Sequence, residues 1–258
     1  MQTTFSSTKR SSSISINFIV PQGWHELSDK QLRYVYQLLA ADYATDEVKT
    51  LCLLQWSGTK VIGRQESGAY LLKKGKILFE VTPLTLAELL PHLEWLGSIP
   101  TVPVRLSKIN RQHALPADFS EVPFETFIIC DNLYQGYLST QNDELLDQLG
   151  ATLYGKAIAF KPHERISIFY WFAALKDSFA QKFSDFFQPI AEAASGGNLL
   201  GSSATSVEDT MNAQIRALTK GDVTKEAEVL ALDTHRALTE LNAQAREYKE
   251  LNAKTASK

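Results

Sequence analysis

The sequence has little that would identify a function directly, and each scarcity excludes a class of protein. It has only two cysteines, Cys52 and Cys130, in 258 residues. Two are too few for a disulfide scaffold, and their spacing fits no metal motif. Both lie among apolar residues, so we predict two buried thiols in a reducing compartment. The net charge of −3 argues against strong electrostatic binding to nucleic acid or to an anionic membrane.

Long apolar runs are also missing. The most apolar stretch, Ile166 to Leu175, is about half of the roughly 18 residues that a membrane-spanning helix needs, so we predict that it is a buried helix. Residues 1–13 are polar and rich in serine, without the apolar segment of a secretory signal. We predict a flexible arm there, and an arm that docks onto a neighbouring subunit is the alternative.

Known catalytic and cofactor motifs do not occur. The sequence contains no HExxH zinc motif, no phosphate-binding loop and no GxGxxG. The nearest match is His25-Glu-Leu-Ser-Asp29, which has aspartate in the place of the second histidine. We therefore predict no catalytic residue, no cofactor and no metal site. An acid–base pair that only the folded chain assembles stays open as an alternative.

One basic cluster has two interpretations. Lys73, Lys74 and Lys76 lie close together at a predicted hairpin tip. They are either solvated turn lysines or residues that contact phosphate. The first interpretation is the commoner one for such positions, so we expect no nucleic-acid partner.

Strand signals occur in the N-terminal half of the chain. Apolar residues alternate from Ile14 to Val20, which predicts a strand with one buried face. Further along, alternating residues flank Lys74-Gly75 on both sides. A tight turn that contains glycine between two such segments predicts a β-hairpin.

Two helix starts share one signature. Ser28 is followed three residues later by Gln31, and Thr85 is followed by Glu88 at the same spacing. This spacing is typical of a capping box, in which the first residue caps the helix. We therefore predict that helices begin just after Ser28 and just after Thr85.

The middle of the chain changes from irregular to helical. Four prolines between Ile99 and Pro123 predict an extended connection across the surface. From Phe124 the pattern is helical, with Asn142 as a cap and Pro162 as a first helical residue.

These patterns predict an α+β fold that is predominantly helical. It would have a small N-terminal sheet or hairpin packed with helices, a helical middle part and a long helical C-terminal tail. We predict five segments, which are the arm at 1–13, an α+β part at 14–120, a helical part at 121–190, a Gly/Ser linker at 191–206 and the tail at 207–258.

The tail has the most informative pattern. Its apolar residues recur at spacings of three and four, as on one face of a helix. Alanine and threonine occupy positions where a coiled coil has leucine. A helix with so thin an apolar seam is marginal alone, so we predict that it binds a partner. The predicted partner-binding residues are Met211, Ile215, Leu218, Leu230, Leu238, Leu241 and Tyr248.

The geometry of the tail has alternatives. Gly221-Asp222 can end one helix and cap the next, which gives a helical hairpin. It can also be a glycine tolerated inside one long helix, at a cost of about 1 kcal/mol. The tail can fold back onto the body as outer helices, or it can pack on another copy or on a different helical chain.

Two phrases of the tail carry a family resemblance. They are Asn212-Ala-Gln-Ile-Arg-Ala-Leu-Thr-Lys-Gly-Asp222 and Ala237-Leu-Thr-Glu-Leu-Asn-Ala-Gln-Ala-Arg-Glu-Tyr248. They resemble uncharacterised proteins that lie among the tail and virion genes of tailed phages and prophages. The layout, a compact N-terminal part and a helical C-terminal part, also resembles that of tail assembly chaperones.

This resemblance implies a non-enzymatic phage morphogenesis or virion structural protein that acts by protein–protein contact. The protein is expected to be either a tail assembly chaperone or a tail or connector component. The implied partners are phage tail proteins, such as a tape-measure protein, or copies of the chain itself, with no nucleic acid and no membrane. The implied location is the host cytoplasm during assembly, or the virion. The alternatives are a cytoplasmic adaptor or regulatory protein of a mobile element, and a cryptic enzyme.

Overall fold

The computed structural model describes residues 2–6, 13–17, 20–156, 159–187 and 214–256, the first two ranges as backbone only. The chain divides into two compact units. Unit 1 comprises Met1–Pro100 and Pro162–Ser167, and unit 2 comprises Thr101–Lys161 and Ile168–Lys258. The predicted Gly/Ser linker at 191–206 lies outside the described residues.

Unit 1 combines short antiparallel strands with helices. Its strands are β1 Gln2–Ser6, β2 Ser13–Asn17, β3 Lys60–Arg64, β4 Tyr70–Lys74 and β5 Ile77–Val81. Its α-helices are α1 Asp29–Ala40, α2 Thr45–Trp56 and α3 Pro83–Leu89, and 3-10 helices lie at Trp24–Glu26 and Leu90–Gly97. Strands β1 and β2 form a two-stranded sheet, and β3, β4 and β5 form a three-stranded sheet in that order. Residues 2–6 of the predicted arm at 1–13 form strand β1, and the backbone of this strand pairs with β2.

Helix α1 begins as predicted. The Ser28 hydroxyl accepts the backbone N–H of Gln31, and the Gln31 side chain accepts the backbone N–H of Ser28. This reciprocal pair satisfies two of the donors that a helix start leaves unpaired. The helix then buries Val35 and Tyr36 completely, so the predicted cap also orients an apolar face towards the core.

Stacked aromatic rings form much of the core of unit 1. Trp24 stacks on Tyr36 with ring centroids 5.8 Å apart and meets Trp95 edge to face at 5.6 Å. Trp95 in turn stacks on Trp56 at 6.3 Å. The indole N–H of Trp24 donates to the carbonyl oxygens of Trp95 and Ser98. The cluster thus ties the 3-10 helices to α1 and α2 and satisfies the polar end of one indole.

The hairpin of β4 and β5 is confirmed. Lys74 pairs with Ile77, which leaves Gly75 and Lys76 as a two-residue turn. Gly75 has a φ of 61°, a conformation that such turns require and that glycine adopts without strain. Leu72 and Phe79 pair across the hairpin and are both buried, so one face of the sheet belongs to the core.

The start of α3 differs from the prediction. Thr82, rather than Thr85, is the cap, since its hydroxyl accepts the backbone N–H of Thr85. Pro83 follows as the first helical residue, where its missing N–H costs nothing. The predicted start was wrong because the sequence contains two possible caps. Thr82 is followed by Pro83, which favours a helix start, and Thr85 has the capping-box spacing. Leu84 is 71% exposed as a result.

Unit 2 is mainly helical. A minimal hairpin of β6 Lys108–Ile109 and β7 Gln112–His113 precedes the helices. The α-helices are α4 Phe124–Thr140, α5 Asp143–Tyr154, α6 Pro162–Lys182, α7 Glu226–Leu230 and α8 Thr234–Ala256. Helical turns also occur at 184–187 and 214–219, and a 3-10 turn occurs at Val223–Lys225. The first turn of α6, Pro162–Ser167, counts in unit 1.

The predicted surface connection at 99–123 is wrong in part, because much of it lies in the core of unit 2. Phe119 is fully buried, and its ring meets Phe127, Trp171 and Phe172 edge to face at 6.2–6.4 Å. A buried irregular segment needs partners for its carbonyl groups. The Trp171 indole N–H supplies one by donating to the Ala117 carbonyl at 2.8 Å.

The fold class is confirmed as α+β and predominantly helical. The division of the chain differs from the predicted one. It falls between Pro100 and Thr101 instead of after residue 120, since the buried connection belongs with the helices. The described part of the tail lies in the same unit as α4 and α5. The physical reason is a set of backbone hydrogen bonds around α8.

Candidate functional site

The start of α8 is hydrogen-bonded to the segment before α4. Thr234 donates its backbone N–H and its hydroxyl to the carbonyl oxygen of Val122, at 2.9 and 2.7 Å. The backbone N–H of Phe124 donates to the carbonyl of Leu232 at 2.8 Å. Thr234 and Phe124 are fully buried. These bonds anchor the described part of the tail in unit 2. It therefore does not extend from the unit as an independent helix.

Asp233 serves both segments. Its Oδ1 accepts the backbone N–H of Arg236 at 3.1 Å, which caps α8. Its Oδ2 accepts the backbone N–H of Glu121 at 2.8 Å. One carboxylate therefore caps α8 and binds the connection segment. The sequence shows an aspartate before a helical pattern, but the second bond depends on a residue far away in the chain.

The described part of the tail is interrupted at two places. Lys220 and Gly221 have φ angles of 55° and 82°, which end the helical turns at 214–219. Asp222 then accepts the N–H of Thr224 and caps the 3-10 turn. The second interruption lies between α7 and α8, at Asp233. The interpretation of one long helix is therefore wrong, and Gly221-Asp222 acts as the stop and cap that the sequence allowed.

The predicted partner-binding residues fall into three groups. Ile215, Leu238 and Leu241 are buried, and Leu218 and Leu230 are half-buried. Tyr248 is 67% exposed, while Met211 lies outside the described residues. The two interruptions place the residues on separate helical pieces, so they do not form one continuous seam. Leu238 and Leu241 serve the core of unit 2, because the first turns of α8 pack there.

His235 fixes the first turn of α8 against α6. Its Nε2 lies 2.8 Å from the carbonyl oxygen of Asp118, and its Nδ1 lies 3.1 Å from Nζ of Lys182. An ammonium group can only donate, so Nδ1 accepts and Nε2 carries the proton. The ring also meets Phe179 edge to face at 5.2 Å. The sequence did not reveal these contacts, because the partners of His235 lie far away in the chain.

A charged contact binds the turn at 184–187 to α8. Asp185 accepts Arg246 at 3.0 Å and Lys249 at 3.3 Å. The hydrogen bond from Arg246 is the main reason that the pKa of Asp185 lies below its ordinary value. Beside it, the backbone N–H of Phe186 donates to the side-chain oxygen of Asn242. Residues 246–251 remain exposed beside these contacts.

The C-terminal turns of α8 form the candidate interaction surface, residues 246–251. Each of these residues is exposed, in contrast to the buried Leu238 and Leu241 in the turns before. Helix α8 has 23 residues and is therefore about 35 Å long. Its first half is anchored, and its second half presents Tyr248 to solvent. The arrangement can bind a partner surface without first forming a helix.

A small open cavity lies near the first interruption. It has a volume of about 240 Å³ and is lined by Ile215, Arg216, Thr219, Gly221, Val223 and Glu226. Within the described residues, no group of three or more histidine, cysteine, aspartate or glutamate side chains is arranged to hold a metal ion. No helix in the described part of the chain is both long and apolar enough to cross a membrane.

The two thiols are buried as predicted. Burial raises the pKa of Cys52 to about 12. Burial is also the main cause of the raised pKa of Cys130, and the nearby charge of Asp131 adds to it. Both side chains pack as small apolar groups, one in α2 and the other in α4.

Comparison with known proteins identified no relative of this chain. No protein-family model, no curated protein and no solved structure matches the chain.

Proposed function

We propose that this chain is a phage morphogenesis or virion structural protein, in the tail region, that binds protein partners through the exposed C-terminal turns of α8. The observation that carries the proposal is the contrast within α8. Thr234, Leu238 and Leu241 are buried in unit 2, whereas residues 246–251 are exposed and include Tyr248. The assignment to tailed phages rests on the resemblance of the tail phrases alone.

A preformed helix end is a favourable binding element. The hydrogen bonds at Val122 and Asp233 fix where α8 begins, so a partner does not have to order the helix. Less conformational entropy is lost on binding than with a disordered peptide. Tyr248 supplies a large, stiff ring with a polar end, which is a residue type enriched at interfaces.

The charges around Tyr248 limit the choice of partner. Arg246, Glu247, Lys249 and Glu250 surround it with both signs. Such mixed charges beside an apolar position favour a helical partner with complementary charges. The thin apolar content makes each contact weak, so several copies acting together would give reversible binding. A tail assembly chaperone must release its client, and a tape-measure helix is the client that we propose.

The experiment must spare the core of unit 2. Deletion of 207–258 would remove Thr234 and Leu241, so any loss of assembly would only report unfolding. Tyr248→Ser is the sharper change, and Tyr43→Ser, at an exposed tyrosine of unit 1, is the matched control. Each variant is co-expressed and co-purified with a tape-measure protein of a tailed phage.

We expect Tyr248→Ser to weaken the recovered complex about tenfold, which is the effect of losing an interface tyrosine worth ~1–2 kcal/mol. Tyr43→Ser should match the unchanged protein. Mass photometry of the protein alone measures self-association in the same variants. If Tyr248→Ser leaves both the complex and the oligomeric state unchanged, the proposed role of α8 is wrong.

A further inference from the structure

The open edge of β3 is a surface in unit 1 that the proposed function does not use. Strand β3 is the outer strand of the β3-β4-β5 sheet, and within the described residues no strand pairs with its other side. All five residues of β3 are exposed. Val61 and Ile62 are 46% and 53% exposed. An edge of this kind presents unpaired backbone N–H and C=O groups together with apolar side chains.

The sheet that carries this edge is also basic. Residues 60–81 contain five basic and two acidic residues, in a chain with a net charge of −3. Lys60 and Lys73 are direct cross-strand partners. Like charges directly opposite each other destabilise a sheet. In the part of the chain that the structure describes, neither lysine forms an ion pair.

The few acidic groups of this sheet do not relieve that repulsion. Glu80 lies opposite Leu71, two positions along β4 from Lys73. Its carboxylate accepts a hydrogen bond from the Gln65 side-chain amide at 2.6 Å. The Lys60–Lys73 pair therefore stays uncompensated, and an acidic group brought beside β3 would gain attraction to both.

We propose that the β3 edge binds an extended acidic segment of another protein, which adds to the sheet as a further antiparallel or parallel strand. Backbone hydrogen bonds to the free edge would supply sequence-independent affinity. Alternate residues of the added strand lie on the face of Lys60, with Cβ atoms about 5 Å from their neighbours on β3. Acidic residues at those positions would be selected by Lys60 and Lys73.

Self-pairing of this edge is disfavoured. Two antiparallel copies of β3 centred on Ile62 would place Lys60 of one copy opposite Arg64 of the other. Those like charges would repel at both ends of a five-residue strand. A second copy is thus a poor occupant, and an acidic strand is a good one.

The test uses the full chain and fluorescently labelled peptides of about six residues, the length of an ordinary strand. One peptide alternates valine with glutamate, and a second has the same charge but a central proline, which cannot pair along its length. A third alternates valine with lysine. A single-stranded thymidine oligonucleotide tests whether the surface also binds an anion that cannot form a β-strand. Fluorescence anisotropy measures each dissociation constant.

Two charge variants complete the design. Lys60→Glu combined with Lys73→Glu reverses the paired charges on exposed side chains, so the fold is retained, and circular dichroism checks this. Lys30→Glu combined with Lys156→Glu changes two exposed lysines outside the sheet and is the control with the same change of net charge.

We expect the valine–glutamate peptide to bind at least about tenfold more tightly than the proline peptide and the oligonucleotide. The variant with Lys60→Glu and Lys73→Glu should lose that binding and prefer the valine–lysine peptide. The control with Lys30→Glu and Lys156→Glu should bind as the unchanged protein does. Equal binding of the proline peptide or the oligonucleotide would overturn the proposal in favour of a general anion surface. Binding of none of the probes would overturn it as well, and would mean that the lysines only keep the edge unpaired. The surface lies in unit 1, so either outcome leaves the test of Tyr248 unaffected.

Discussion

Thr234 donates twice to one acceptor, the carbonyl oxygen of Val122, through its backbone N–H at 2.9 Å and its hydroxyl at 2.7 Å. The two residues are more than a hundred positions apart in the chain, 112 by their numbering. Their contact decides that the last long helix is part of unit 2. It also decides which end of α8 is available to a partner.

The double donation makes Thr234 sensitive to a conservative change. Thr234→Val keeps the shape and the backbone N–H but removes the hydroxyl. Because the Val122 carbonyl keeps one donor, we expect a loss of about 1 kcal/mol in the free energy of unfolding. Urea denaturation measures it. Thr239→Val is the control, since the Thr239 hydroxyl is exposed and bonds within its own helix, and its effect should be within about 0.5 kcal/mol.

Gly150 marks a close approach of α5 to its neighbours. A Cβ atom at this position would lie 2.6 Å from Ile168 and 2.7 Å from Phe160. We expect Gly150→Ala to destabilise unit 2 by about 1–3 kcal/mol through overpacking, despite the better helix propensity of alanine.

Gly136→Ala in α4 is the matched control for this prediction. There a Cβ would meet only the end of the Leu145 side chain, at 3.1 Å, which can move slightly. We expect this variant to be neutral or more stable by up to about 1 kcal/mol. A similar loss of stability in both variants would contradict the close-approach explanation.

The buried thiols predict a chemical result. Cys52 is buried, and its pKa is raised to about 12 by burial, so the reactive thiolate is scarce at neutral pH. Neither Cys52 nor Cys130 should react with a thiol reagent such as Ellman's reagent in the folded protein. Two thiols per chain should react in urea. Fast reaction of one thiol in native conditions would show that its helix opens.

Acid should weaken the contact between the turn at 184–187 and α8. The pKa of Asp185 is lowered, chiefly by its hydrogen bond from Arg246. A carboxyl group with a lowered folded pKa contributes stability above its unfolded pKa, near 3.9. That contribution is lost as the pH falls through the folded pKa.

We therefore expect the urea concentration at the midpoint of unfolding to decrease as the pH is lowered below about 4. In Asp185→Asn this decrease should be less steep. Added salt should reduce the difference between the two proteins at neutral pH, because the contact is at the surface. An identical acid profile in both proteins would contradict the role of Asp185.

Local features of the fold were predictable. The Ser28–Gln31 capping box, the turn at Gly75 and the cap at Asn142 each depend on a few neighbouring residues. The start of α3 shows the limit of such reasoning. Thr82 and Thr85 are both plausible caps, and the choice follows from Pro83 and from which leucines reach the core.

The candidate site was only partly predictable. The helical period of the tail correctly indicated amphipathic helices, but it could not separate residues that face the core from residues that face a partner. Leu241 and Tyr248 belong to the same period, yet the first is buried and the second is exposed. The edge of β3 was missed entirely, because the sequence shows a strand without showing which side of it is unpaired.

The sequence by itself determined the helix and strand types, the hairpin and the capping box at Ser28, since these depend on backbone preferences and on contacts between near neighbours. Only the tertiary structure decided that the chain divides near Thr101, that Asp233 and Thr234 bind the segment before α4, and that α8 is half core and half surface. Those outcomes depend on hydrogen bonds between residues far apart in the chain. No periodicity within a single segment can encode the partner of such a bond.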